Sequence, residues 1–160
     1  MTLPELMPIY DYEATTYLDE VYRVFVSEIV DGGLTFLELP IKCPWHPAHD
    51  DKHFSFWHTI SNNDATQREE DRIPDVLRCE RIRWISYVIK NANDRQKVWC
   101  WEKLVRTSRG KQTHIVLYYH EKQYLVVLRK KSNRLELVTA YVRKNHQKMV
   151  NEKGKYVDPR

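Results

Sequence analysis

The chain has 160 residues, three cysteines and a formal net charge of +4. That length buries a real core without disulfides or metal, and an odd number of cysteines in unrelated contexts (Cys43, Cys79, Cys100) argues against a disulfide framework and for a reducing compartment. No apolar run approaches the ~18 residues a bilayer span needs, and Met1-Thr-Leu-Pro-Glu5 lacks the basic-then-apolar pattern of a signal peptide, so a cytoplasmic protein with no membrane contact is expected. The net charge hides a division. Residues 1–75 hold 5 Lys+Arg and 15 Asp+Glu, whereas residues 76–160 hold 21 and 7. A basic half suits a polyphosphate partner. Neutralisation of one half by the other on folding is the equal alternative.

In chain order, residues 1–13 show no period. From Thr16 the apolar residues Leu18, Val21, Tyr22, Phe25 and Ile29 recur at helical spacing, with Asp19 and Glu20 in the first turn and Asp31-Gly-Gly33 as a left-handed stop. Leu34–Leu39 reads as a strand ended by Pro40. Lys42–His53 reads as a loop, in which Cys43, His46, His49 and His53 have spacings a zinc site can use; a plain surface loop is the stronger reading. Phe54–Ile60 is aromatic and β-branched and reads as a second strand. The polar stretch 61–71 reads as an exposed loop. A helix is expected from Pro74 to about Asn91, on the stripe Leu77, Ile82, Ile85, Val88 and Ile89.

The rest reads as an antiparallel meander of four strands: 97–105, 113–120, 124–129 and 134–142. Ile115-Val-Leu117 and Leu125-Val-Val-Leu128 are continuously apolar and belong at the centre, covered on both faces. Arg143–His146 leaves the last strand and starts a short helix. The expected fold is therefore α+β: N-terminal helices packed on a curved antiparallel sheet of four or more strands. Residues 1–53 form an acidic helix–strand cap and loop, and residues 54–160 form the core, within one compact domain.

Phosphate loops of the Walker kind, a G-x-S-x-G elbow, H-E-x-x-H and paired metal-nuclease aspartates are absent. One chemistry needs side chains alone. RNA is cut by its own 2′-hydroxyl when one group takes that proton, another protonates the leaving 5′-oxygen, and cations surround the phosphate. His58, Lys103, Thr139, Tyr141 and His146 are the right residue types, with a histidine as acid and the other as base. Thr139 and Tyr141, two apart on one strand, face the same side. Arg78, Arg81, Arg83, Arg106, Arg129 and Arg143 are the candidate RNA-binding residues, Arg78 and Arg81 sharing a helix face. No metal and no other cofactor enters this scheme. Against each assignment stands a bland one: a hydrogen-bonded core histidine, a solvated arginine, an ordinary sheet threonine.

The run Val98-Trp-Cys-Trp-Glu-Lys103, the hairpin strand Tyr124-Leu-Val-Val-Leu128 and the ending Leu137-Val-Thr-Ala-Tyr141 with His146 resemble phage-related small ribonuclease toxins of the barnase, colicin and RelE-like endoribonuclease superfamily. The stretch from Asp71 to Trp84 is similar to the helix that precedes the sheet in such proteins. The resemblance spans roughly residues 54–150. It implies metal-independent cleavage of RNA, as tRNA or ribosome-associated mRNA, to a 2′,3′-cyclic phosphate. It also implies a cognate antitoxin or immunity protein as partner. Residues 1–53 have no counterpart in that family; they form either an added cap or a cover folded over the basic face. A non-catalytic nucleic-acid- or protein-binding module on the same fold is the alternative, and a zinc enzyme built on the Cys43–His53 loop ranks last.

Overall fold

The structure is a computed structural model that describes residues 2–62 and 73–160. Among the described residues, six strands form one curled sheet in the order β1-β2-β6-β5-β4-β3, and five α-helices pack around it. The strands are β1 Thr35–Phe36, β2 Leu39–Lys42, β3 Val98–Thr107, β4 Gly110–Tyr119, β5 Tyr124–Lys130 and β6 Leu135–Val142. The helices are α1 Tyr17–Phe25, α2 Phe54–Ile60, α3 Val76–Glu80, α4 Ile82–Lys90 and α5 His146–Lys155.

The α+β class and the four-strand antiparallel meander stand as expected, with Ile115, Val116, Leu117, Leu125, Val126 and Leu128 buried. The sheet as a whole is mixed, because β2 pairs with β6 in parallel. The expected strand 34–39 breaks at Leu37 and Glu38, whose φ values of 54° and 61° make a tight left-handed turn. That turn reverses the chain and brings Ile41 and Lys42 alongside Leu135 and Glu136. Pro40 sits inside β2 rather than ending it, at a position that the parallel pairing does not use.

Phe54–Ile60 is a helix, not a strand. Ser55, Phe56, Trp57, Thr59 and Ile60 are all buried, so this short helix is covered nearly all round and has no exposed polar face to mark a period. Tertiary packing overrides the β-propensity of its residues. The expected helix 74–91 is two helices, α3 and α4, broken at Arg81, whose φ of −101° and ψ of 17° are not helical. Asp75 caps α3 by accepting from Leu77 N and Arg78 N. The expected loop 61–71 lies outside the described residues from 63 onward; Ser61 itself is buried.

α1 continues through a wider turn, Val26–Val30, closed by Asp31 N donating to Val26 O at 2.8 Å. Gly32 follows because a Cβ there would lie 2.0 Å from Glu28 O, and Gly33 takes φ +64°. One face of the sheet meets α1, α2 and α4 in a large apolar cluster containing Val21, Phe25, Phe56, Ile85, Val88, Ile115, Leu117 and Leu137. Each such fully buried side chain contributes roughly 1.5–3 kcal/mol. The N-terminal segment joins this cluster: Trp84 Nε1 donates to Pro4 O at 2.9 Å and Met7 N to Glu80 O at 2.8 Å.

The other face carries a smaller cluster of Trp101, Val116, Tyr118 and Leu125, capped by Met149 of α5. None of its described members comes from residues 1–53. The acidic N-terminal part therefore builds the opposite layer, and the helix over this face is the basic α5.

Candidate functional site

Strand register lays out the face beneath α5 as rows. Lys103, His114, Arg129 and Glu136 are direct partners across β3, β4, β5 and β6. Trp101, Val116, Val127 and Thr139 form the next row, and Trp99, Tyr118, Leu125 and Tyr141 the third. A bulge aligns the last members. The register of β5 with β6 slips between Val127 and Leu128, leaving Val138 as an extra residue. Without it, period-2 alternation would send Thr139 and Tyr141 to the opposite face from Glu136. The bulge re-aims both onto this one.

Thr139 is fixed from two sides. Its Oγ1 donates to the His58 carbonyl at 3.2 Å and accepts from Arg78 Nη1 at 3.2 Å. Arg78 also donates from Nη1 to Ser61 O at 2.7 Å and from Nη2 to Asn62 Oδ1 at 3.0 Å, and its guanidinium lies 4.7 Å from the Tyr141 ring centroid. α2 makes this possible by lying beside β6, where β2 no longer pairs with it, and the His58 ring packs against Phe54, tilted by 41°, with centroids 3.9 Å apart. His58, Asn62, Arg78, Val138, Thr139, Tyr141 and Arg143 thus line one cleft of about 500 Å³.

A neighbouring cleft of about 370 Å³ runs under α5 past Lys103, His114, Thr139, Tyr141, Arg143 and Glu152. Lys103 is not idle there: its Nζ lies 3.0 Å from Glu152 Oε1. Arg129 lies 3.6 Å from Glu136, which also holds Arg134 at 3.0 Å. The Nε atoms of Arg143 and Arg129 are buried and have no hydrogen-bond partner among the described residues. Buried donors without acceptors suit an anionic ligand.

The structure brings together four of the five residues expected to do chemistry: His58, Thr139 and Tyr141 in one cleft, Lys103 with Thr139 and Tyr141 in the next. His146 stands elsewhere. It opens α5, its Nδ1 lies 2.8 Å from Tyr118 Oη, and its ring neighbours Trp99 at 5.7 Å. Trp99 in turn stacks on His120 and lies 5.1 Å from Lys153 Nζ. Of the arginines, Arg78 and Arg143 line the clefts, and Arg81 joins them in a groove that includes Tyr141 and Lys144 while stacking on Trp84. Arg129 lines the groove toward α2. Arg83 sits on α4, where its charge bears on Glu28 of the helical layer. Arg106 is exposed near the end of β3, on the alternate side from Lys103.

His114 lines two of these clefts, and sequence reasoning did not single it out. Burial, with Arg129 and Lys103 on either side, pushes its pKa down to about 4, so the ring is neutral at pH 7. One countable signal existed. With Ser108-Arg109 as a two-residue hairpin loop, Thr107 pairs with Gly110 and His114 must stand opposite Lys103.

Among the described residues no group of three or more His, Cys, Asp or Glu side chains is arranged to hold a metal ion. His53, of the zinc-spaced loop, meets Tyr22 instead: Tyr22 Oη lies 2.7 Å from its Nδ1, and burial lowers its pKa. No helix of the described residues is long and apolar enough to cross a membrane. A scan against protein-family models and searches of the curated proteins and of the solved structures returned no match.

Proposed function

We propose that this chain is a metal-independent endoribonuclease toxin of the barnase, colicin and RelE-like superfamily, cutting RNA by attack of its own 2′-hydroxyl to leave a 2′,3′-cyclic phosphate. The observation that carries the reading is the cluster His58–Thr139–Arg78–Tyr141, drawn from α2, α3 and a bulged strand into one cleft beside the buried Nε of Arg143. Three elements distant in sequence converge on polar groups where packing alone would favour apolar ones. The groups they assemble are a histidine, two guanidiniums and two hydroxyls, which suit a crowded phosphate.

In this reading Arg78 and Arg143 hold the phosphate, and the hydroxyls of Thr139 and Tyr141 orient it. His58 exchanges a proton with the substrate. Lys103 adds charge at the rim once it leaves Glu152. The substrate is RNA, as tRNA or ribosome-associated mRNA, and a cognate antitoxin or immunity protein would cover the face between α2 and α5.

One observation favours a second reading, a non-catalytic module that binds nucleic acid or protein: Lys103 and Arg129 already have carboxylate partners. The deciding experiment incubates purified protein with total RNA in EDTA and maps new 5′ ends by sequencing. Discrete cuts ending in 2′,3′-cyclic phosphate, lost in His58→Ala, support the enzyme. Salt-sensitive binding without any cut replaces it with the module.

A further inference from the structure

A third cleft, of about 340 Å³, joins α2 to the β3–β4 hairpin, with Phe54 and His58 at one side, Arg109, Gln112 and His114 at the other, and Arg129 and Val138 between. His114 lies in both this cleft and the one under α5. Two histidines thus share one groove, with a guanidinium in its floor. His114 Nε2 lies 3.1 Å from Gln112 Oε1. An amide oxygen only accepts, so Nε2 carries the proton and Nδ1 is left as the ring's acceptor. We propose that His114 is the second proton-transfer residue of the ribonuclease site, the base that takes the 2′-hydroxyl proton while His58 serves as the acid.

The inference rests on the ribonuclease reading and adds the second proton-transfer group that such cleavage requires. The step balances. The 2′-hydroxyl proton passes to His114, and the freed oxygen forms a bond to phosphorus. The bond from phosphorus to the 5′-oxygen breaks, and a proton from His58 completes the leaving hydroxyl. The products are a 2′,3′-cyclic phosphate and a 5′-hydroxyl. His114 ends protonated and His58 neutral, and solvent exchange restores both.

The surrounding charges fit this order of events. Lys103 on β3 and Arg129 on β5 flank His114, with Glu136 on β6 and Glu152 on α5 as their partners and Arg109 at the hairpin end. In the free protein those cations, added to burial, keep His114 deprotonated and ready to accept. A phosphodiester between them offsets part of that positive field and makes the ring a stronger base when substrate is bound.

The test uses the full chain with total RNA in EDTA, comparing wild type with His114→Gln under single-turnover conditions across pH. General-base removal is expected to slow cleavage about 10²- to 10⁴-fold at neutral pH. It should also abolish the acid limb of the pH–rate profile, with RNA affinity changed less than about threefold. His114→Gln cutting at the wild-type rate, or with the wild-type acid limb, overturns the assignment while leaving the ribonuclease reading intact. Wild type that cuts nothing overturns both. A second measurement holds even if the variant does not fold: His114 in the wild type, followed by NMR, should titrate at higher pH when inorganic phosphate is added. No change in its titration overturns the proposal.

Discussion

Arg78 Nη1 donates a 3.2 Å hydrogen bond to Thr139 Oγ1, tying α3 to β6 across 61 residues of chain. The same hydroxyl donates a hydrogen bond to the His58 carbonyl, so one threonine sets the distance between two helices and the strand they flank. Thr139→Val keeps the shape and deletes both bonds. The guanidinium keeps its bonds to Ser61 and Asn62. Unfolding free energy should fall by about 1–2 kcal/mol, measured by denaturant titration. RNA cleavage should fall about 10²-fold, as when one oriented donor is lost. Cleavage within threefold of wild type would remove Thr139 from the site.

In the proposed ribonuclease, Glu152 would compete with RNA for Lys103, which it already holds at 3.0 Å. Both side chains are largely shielded, at 19 % and 25 % exposure, and both line the cleft under α5. Glu152→Gln removes a negative charge from that cleft and releases a cation into it. RNA affinity at low salt should rise several-fold, and the slope of log affinity against log salt should steepen by about one phosphate contact. Weaker binding by the variant would show that the pair orders α5 rather than restraining Lys103.

The protein should lose stability in mild acid. His114 and His53 both have folded pKa values below the ~6.5 of an unfolded histidine. The unfolded chain therefore takes up protons first. Stability is complete above about pH 6.5 and falls as pH drops, for His114 through the window down to about 4. Denaturant midpoints at about pH 7.5 and pH 5 check this, and His114→Gln should flatten the difference. Equal midpoints in the wild type would mean that neither ring is held neutral.

The three thiols should be inert in the native protein. Burial pushes Cys43, Cys79 and Cys100 up to about 12, leaving almost no thiolate at neutral pH. Alkylation by iodoacetamide should be slow for all three until denaturant is added. Rapid labelling of a single cysteine in native protein would contradict that environment.

The meander was legible because its strands are long, apolar and separated by turn residues, so local pattern and global fold agree. The helix α2 was not, since a seven-residue element buried nearly all round has no polar face to mark its period. That error mattered for the site. As a helix beside β6, α2 presents the His58 carbonyl to Thr139, a contact that the expected strand gave no reason to look for. The bulge at Val138 was equally silent, because a slip of one residue leaves no mark in composition. Thr139 and Tyr141 were still paired correctly, since alternation relates them to one another whatever the register of the strand.

β3 ends the strand order, and an exposed edge invites pairing with another chain. Here the C-terminal residues lie over it: Glu102 N donates to Val157 O at 2.8 Å, and the Arg160 guanidinium donates to Ala92 O at 2.7 Å and Val98 O at 2.8 Å. The Arg160 side chain is only 7 % exposed and also binds Asp158 at 2.7 Å. Burial alone would raise the Asp158 pKa, but hydrogen bonds from Arg160 outweigh it and hold the carboxyl below its ordinary value. The guanidinium thus links the chain after α4 to the start of β3. Arg160→Gln leaves the Ala92 and Val98 carbonyls and Asp158 short of a charged donor. It should cost about 2–4 kcal/mol and lower Tm by roughly 5–10 °C for a domain of this size. Hydrogen exchange should quicken first along Val98–Glu102, with β5 at the centre of the sheet unchanged. A variant with wild-type Tm and wild-type exchange along β3 would reduce the C-terminal strap to surface decoration.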